Sequence, residues 1–361
     1  MNTIPHISRG QQSVSAPTRT TTVVMGQQGF FHVLFRLISV EMYKIRRRAL
    51  SKALSIIGLF TMTAAFFVLS INAFVVLNTP VQAYGALQQC SAGHNTQEQQ
   101  RPSYGQTCIN HPPTQQELAQ AQKVKQIALL DNFAPLHFPG SLFIAISVTM
   151  IMGTILFVIL TGTCVGGEYS GGTVRLVLTR GPTRTQFLLS KIGALLLCVV
   201  LGFVIMVLTG LVVGALLSLP SGIATPLDFL QHGGWVHVLF YPLFALFGLF
   251  IYTLLALFLA TLGRSTAIGV AGAFIWFVLE SVLSGVLNLF PTGPVGNFLK
   301  TIPNYFVSNN ISALLQNQTH SFIGNPPSTV SDLHALLVLL GYLTVFVALS
   351  LWVSIHRDIT N

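Results

Sequence analysis

Charge is what this chain has least of. Only 7% of its 361 residues are Asp, Glu, Lys or Arg, against 52% hydrophobic residues, and its mean hydropathy is +0.69. A soluble globular chain carries roughly 25% charged residues. With so few charges this polypeptide cannot cover its own surface in water, so lipid is the expected solvent for most of it. Catalytic signatures are missing too. There is no G-x-x-x-x-G-K-[ST] loop, and no Gly-Lys dipeptide anywhere, so the phosphate cradle of an ATPase is excluded. No H-E-x-x-H zinc motif and no G-x-S-x-G nucleophile elbow occurs. Ser170, beside Tyr169 and Gly171, lacks a His at matching depth to act as its base. Cysteine is sparse, with four residues. Cys164 and Cys198 fall at or in apolar runs and read as packing residues. Cys90 and Cys108 share a polar loop, where a disulfide and two free thiols fit the spacing equally well.

What is abundant is long apolar sequence. Six runs, at about 53–77, 141–162, 187–219, 236–262, 267–290 and 333–355, each reach the roughly 20 residues that a helix needs to cross a bilayer. The expected fold is therefore an all-α membrane protein of six spans. The run at 187–219 exceeds one hydrocarbon thickness, and Gly202, Gly210 and Gly214 give it places to bend or to pack closely. The first run begins after residue 50 and is too long for a cleaved signal segment.

The net charge of +9 does not indicate nucleic-acid binding, because the cations gather at the flanks of apolar runs. Counted on alternate sides of six spans, fourteen fall on one side: Arg9, Arg19, Arg36, Lys44, Arg46, Arg47, Arg48, Lys52, Arg175, Arg180, Arg184, Lys191, Arg264 and Arg357. Only Arg101, Lys123, Lys125 and Lys300 fall on the other. By the positive-inside rule both termini are expected in the cytoplasm, in a cell membrane.

Between the spans the chain divides clearly. Residues 1–29 are rich in Ser, Thr, Gln, Gly and Pro without apolar period and are expected to form a disordered cytoplasmic tail. Over 30–52, Phe31, Leu34, Phe35, Ile38, Met42 and Ile45 recur at helical spacing, which predicts an amphipathic helix in the inner headgroup layer before span one. In the outer loop 78–139, Thr114 and Glu117 form a capping-box pattern that predicts a helix through about Leu130. The loop between spans five and six is expected to hold a re-entrant or interfacial helix at about 298–315. Its Asn317–Gln318–Thr319 sequon matters only in a glycosylating pathway.

Within span five, Trp276, Glu280, Ser284 and Asn288 recur every four residues as a polar stripe. A charge at mid-membrane costs at least ~2.5–3.5 kcal/mol. The stripe therefore faces either a translocation path or partner subunit, or a neighbouring helix to which Glu280 is hydrogen-bonded. Asn72 and Tyr252 are the candidate partners for it.

The segment between spans two and three, 164–186, has the features of a short helix lying along the membrane. Gly171 and Gly172 permit a sharp turn, and Thr173 is placed to cap a helix carrying Arg175 towards Arg180. Gly181 ends it, and Pro182 suits the first turn of the next helix.

In four places the sequence resembles the type-2 ABC-exporter permeases. Glu41, Lys44 and the Arg46–Arg47–Arg48 run before span one look like that family's elbow helix. Glu168, Gly172, Thr173, Arg175, Leu178, Pro182, Arg184 and Lys191 are similar to its pattern between spans two and three. The six-span layout with its largest outer loop after span one also matches, as does the ending Ile355–His356–Arg357–Asp358–Ile359. The resemblance implies a transmembrane subunit that works beside a second permease copy or homologous subunit. A separate ATPase would bind ATP and Mg, with no cofactor on this chain. Glu168, Gly172, Thr173, Arg175, Arg180 and Arg184 would then form the coupling helix that docks on that ATPase. A secondary transporter or channel, or a membrane scaffold without transport, is the alternative. The first of these commonly shows two similar halves, which this chain does not.

Overall fold

The computed structural model describes residues 29–84, 114–179, 182–223, 233–291 and 293–356. Nearly all of the tail expected over 1–29, the Cys90 and Cys108 pair, Arg180, and the closing residues from Arg357 onwards lie outside that set.

The described chain is all-α, with no strand among the described residues: α1 (Phe30–Arg47), α2 (Ala49–Asn78), α3 (Gln115–Phe133), α4 (Gly140–Ser170), α5 (Thr173–Leu178), α6 (Arg184–Ser218), α7 (Gly234–Gly263), α8 (Thr266–Asn288), α9 (Pro294–Thr301), α10 (Val307–Ile323) and α11 (Asp332–His356). Six of these, α2, α4, α6, α7, α8 and α11, are long and apolar enough to cross a membrane, and each coincides with one of the six apolar runs. The architecture is that of a multi-pass membrane protein.

The amphipathic helix forms as its periodicity predicts, but it ends earlier than the expected boundary at residue 52. A single extended residue, Arg48 (φ −67°, ψ 132°), separates α1 from α2, and residues 49–52 already belong to the spanning helix. α1 lies along α6. The Ile38 side chain reaches over Gly193, where a Cβ would stand 2.8 Å from it, and Met42 Sδ lies 3.6 Å from Cys198 Sγ. Phe31 and Phe35, 70% and 66% exposed, point away from the bundle. Large apolar side chains left outward on a helix with charges on its other side suit a headgroup layer.

α3 begins with the expected capping box. Thr114 Oγ1 accepts the Glu117 N–H at 3.3 Å, and Glu117 accepts the Thr114 N–H at 2.8 Å. Lys125 on α3 donates to the carbonyls of Leu77 (3.2 Å) and Thr79 (2.7 Å), satisfying acceptors left open where α2 ends.

α4 is the hub, packing on α2, α6, α7 and α8. Its 31 residues extend roughly 46 Å at 1.5 Å per residue, beyond a hydrocarbon core of about 30 Å. The glycines of α6 lie within one unbroken helix and serve close packing. A Cβ at Gly202 would lie 2.7 Å from the Phe157 ring, and one at Gly210 2.6 Å from Ala145 Cβ. α7 is the most enclosed span, burying Leu249, Ile251, Leu254, Leu255 and Leu257.

In place of one helix over 298–315, two appear. α9 and a short 3-10 turn (Ile302–Tyr305) lead into α10, which starts at Val307. Phe306 is extended (φ −77°, ψ 146°), so the backbone breaks there.

Candidate functional site

Among the described residues, one end of the bundle gathers Glu41, Lys44, Arg48, Glu168, Arg184 and Lys191, charges that the sequence pattern singles out. There the α1–α2 junction, the end of α4, the short helix α5, the start of α6, the α7–α8 turn and the end of α11 come together. Arg48 Nη1 donates to the Thr163 carbonyl on α4 at 3.3 Å. Arg184 Nη1 donates to the Ile355 carbonyl at 2.8 Å, tying α6 to the last turn of α11. Gly166 of α4 passes so close to the α7–α8 turn that a Cβ there would sit 2.5 Å from the Thr266 nitrogen.

At the centre of this end lies a buried ionic cluster. Lys191 on α6, 3% exposed, sits between two carboxylates, 2.7 Å from Glu168 Oε2 on α4 and 3.2 Å from Glu41 Oε2 on α1. Lys44 adds a second cation, 2.8 Å from Glu41 and 3.5 Å from Glu168. Arg48 closes the group 3.9 Å from Glu168. The Lys191 ammonium also stands 4.8 Å from the centre of the Phe187 ring, an additional attraction for a desolvated cation. Burial pushes the Glu41 carboxyl up, but Lys191 and Lys44 together outweigh it and hold it below the usual carboxylate range. Burial likewise pulls Lys44 down, and its contacts with Glu41 and Glu168 more than reverse that. Two anions among three cations bind the amphipathic helix to two spans at once. A charge taken out of water is tolerable only when it is paired in this way.

This cluster changes the reading of Glu168. Expected at a docking surface, it is 7% exposed and committed to Lys191, Lys44 and Arg48 inside the chain. α4 also runs further than the segment boundary at 164 implies, so Glu168 is helical and inward-facing, with the turn coming only at Gly171 and Gly172. Gly172 takes φ +67°, a left-handed conformation suited to glycine.

α5 follows at once, with Thr173 as its first residue rather than its cap. The Thr173 hydroxyl donates back to the Glu168 carbonyl at 3.2 Å. Arg175 lies in the middle of α5. Pro182 stands ahead of α6 instead of in its first turn. The cap is Thr183, which forms a capping box with Gln186 (3.0 and 3.2 Å), a pattern present in the sequence but not recognised there. Arg184 spends a guanidinium nitrogen on the end of α11. Among the elbow cations, Arg47 lies 5.1 Å from the Tyr43 ring centre. Arg46 borders a mainly apolar cavity of about 320 Å³ between α1, α2, α4 and α6.

The Glu280 stripe resolves towards an internal partner. Glu280 is 5% exposed. Its Oε1 accepts Trp276 Nε1–H at 2.9 Å and the Val307 N–H at 3.0 Å, while Oε2 accepts the Ser308 N–H at 2.9 Å. It thus caps α10 from a different helix, supplying acceptors that Phe306, at the cap position, cannot. Ser284 Oγ accepts Asn309 Nδ2–H at 3.3 Å, and Asn288 donates to the Ser284 carbonyl. Neither Asn72 nor Tyr252 bonds to Glu280.

Among the described residues, no group of three or more His, Cys, Asp or Glu side chains could hold a metal ion. No curated protein and no solved structure matches the chain. A family model described as "Protein of unknown function (DUF2705)" matches residues 133–360, which include α5, the Glu168–Lys191 pair and Glu280. This chain belongs to that family.

Proposed function

We propose that this chain is the permease subunit of an ATP-driven ABC efflux system, moving an unidentified substrate across a cell membrane with energy from a separate ATPase that binds ATP and Mg. The observation that carries the reading is the placement of α5. Six residues of helix hang between the ends of two long spans, while behind them Glu168 and Lys191 lock those same spans to the amphipathic helix. A partner that moved α5 would move α4 and α6 together, and through the ionic cluster α1 as well. Rigid-body rocking of spans needs a lever of this kind.

On this reading the charged end faces the cytoplasm, as do both termini, and Arg175 helps set the register of docking more than its strength. A second permease copy or homologous subunit completes the path. Glu280 counts against a proton-driven carrier, because its carboxylate is already committed to α10.

The test is to isolate the full chain from its native membranes in mild detergent and identify what accompanies it. An ATPase with a phosphate-binding loop should co-purify, and Arg175→Glu should weaken that association while membrane insertion stays normal. Absence of any ATPase, or equal recovery with the variant, would defeat the proposal. Glu168 is a poor probe of docking, since replacing it disturbs the fold first.

A further inference from the structure

Away from the ionic cluster, a cavity of about 250 Å³ lies among α4, α7, α8 and α10, walled chiefly by Val158, Phe274, Phe277, Ile311 and Leu315. Tyr252 lines it too. The residue is 4% exposed, and its ring meets the Phe277 ring edge-on at 5.9 Å. Its hydroxyl, fully enclosed, has no hydrogen-bond partner among the described residues. Thr154, on the facing wall, donates its hydroxyl proton to the Met150 carbonyl at 2.6 Å and makes no bond with the Tyr252 hydroxyl.

A buried hydroxyl without a partner is costly, and phenylalanine would fill the same space without that cost. Ser308, Ser312 and Thr154 also border the cavity, but a single water takes up only about 10–15 Å³ of such space and leaves most of the apolar wall without a partner. The cavity is bordered by Ile151 and Phe277, 63% and 43% exposed, each near the middle of a spanning helix. A guest would therefore enter sideways from the bilayer interior.

We infer that this cavity binds an uncharged, lipid-soluble molecule carrying one hydrogen-bond acceptor, which the Tyr252 hydroxyl engages while the aromatic and aliphatic walls enclose the rest. The site is built within one chain and does not depend on ATP coupling.

Benzophenone, a neutral diaryl ketone that attaches to nearby C–H bonds on irradiation, serves as the probe, with the full chain in lipid nanodiscs and adducts mapped by mass spectrometry. Labelling should saturate and concentrate on α4, α8 and α10 around the cavity. Diphenylmethane, which has the same rings without the carbonyl, should compete roughly fivefold less well than unlabelled ketone, the worth of one hydrogen bond. Tyr252→Phe should lower saturable labelling by about the same factor and abolish the preference for the ketone. Without probe, its unfolding temperature should equal or exceed that of the wild type. Ile151→Trp, at the opening, should reduce labelling with Tyr252 intact. Adducts scattered over lipid-facing helices, unchanged labelling in either variant, or a Tyr252→Phe protein less stable than wild type before any probe is added would each overturn the inference.

Discussion

Lys191 Nζ lies 2.7 Å from Glu168 Oε2, and this contact joins the start of α6 to the end of α4 below the turn that carries α5. Because Lys191 also reaches Glu41 at 3.2 Å, one ammonium holds three helices. Losing one member of a buried pair leaves the other charge uncompensated, at about 3–5 kcal/mol.

Lys191→Met should accordingly destabilise the protein by about 3 kcal/mol, read as a lowered unfolding temperature in detergent. Combining Lys191→Met with Glu168→Leu should recover much of that loss, because the carboxylate that loses its nearest cation goes with it. A double variant as unstable as the sum of the two single ones would show that the residues do not act as a pair.

The cluster also predicts a pH window for α1. Glu41 titrates below its ordinary 4.5, so the stability it contributes is present above that value and is lost as pH falls through its lowered one. Lys44 titrates above its ordinary 10.5, so its contribution is present below that value and is lost as pH rises through its raised one. Lys44 is partly exposed, and its share is the smaller of the two. A spin label at Val40, on the exposed side of α1, should keep constant mobility between those limits and loosen in acid first. Loosening near neutral pH would contradict the assignment.

Gly166 and Gly167 are adjacent and chemically identical, yet only the first should resist a side chain. A Cβ at Gly166 would meet the Ser265 oxygen at 2.7 Å and the Thr266 nitrogen at 2.5 Å, both backbone atoms, whereas one at Gly167 would touch only a Thr266 methyl at 3.8 Å. Gly166→Ala should cost about 1–3 kcal/mol, and Gly167→Ala close to nothing, by the same unfolding measurement.

Much of this architecture is legible in the sequence. Six spans, the amphipathic helix and the Thr114–Glu117 box all follow from local pattern, because hydrophobic period and capping depend on residues a few positions apart. The ionic cluster does not, since Glu41, Glu168 and Lys191 lie far apart in the chain. Each reads on its own as an ordinary flank of an apolar run. The available signal is Lys191 alone, which falls within the run at 187–219 and so requires an anionic partner. Glu280 was harder still. Its partners at Val307 and Ser308 are backbone N–H groups, invisible to any search for complementary side chains, so attention falls on Asn72 and Tyr252.

That cap makes its own prediction. Glu280→Ala strands the Val307 and Ser308 amides and the Trp276 indole N–H, and should cost about 3 kcal/mol. Hydrogen exchange at the Val307 and Ser308 amides should accelerate, with α9 and the rest of α8 little changed. Glu280→Gln keeps one acceptor oxygen and should fall between the variant and the wild type. Unaltered exchange in the Ala variant would mean that α10 does not depend on this carboxylate.

On the proposed function, α5 is the surface on which an energy-supplying ATPase acts. A single cysteine introduced at Thr173, in a chain otherwise without cysteine, tests it most directly through a short thiol-reactive cross-linker on the purified assembly. A cross-link to an ATPase subunit is expected from position 173 and none from a cysteine at Leu219, beyond the far end of α6. Cross-linking from 219 but not 173, or from neither position in an assembly that contains the ATPase, would contradict it.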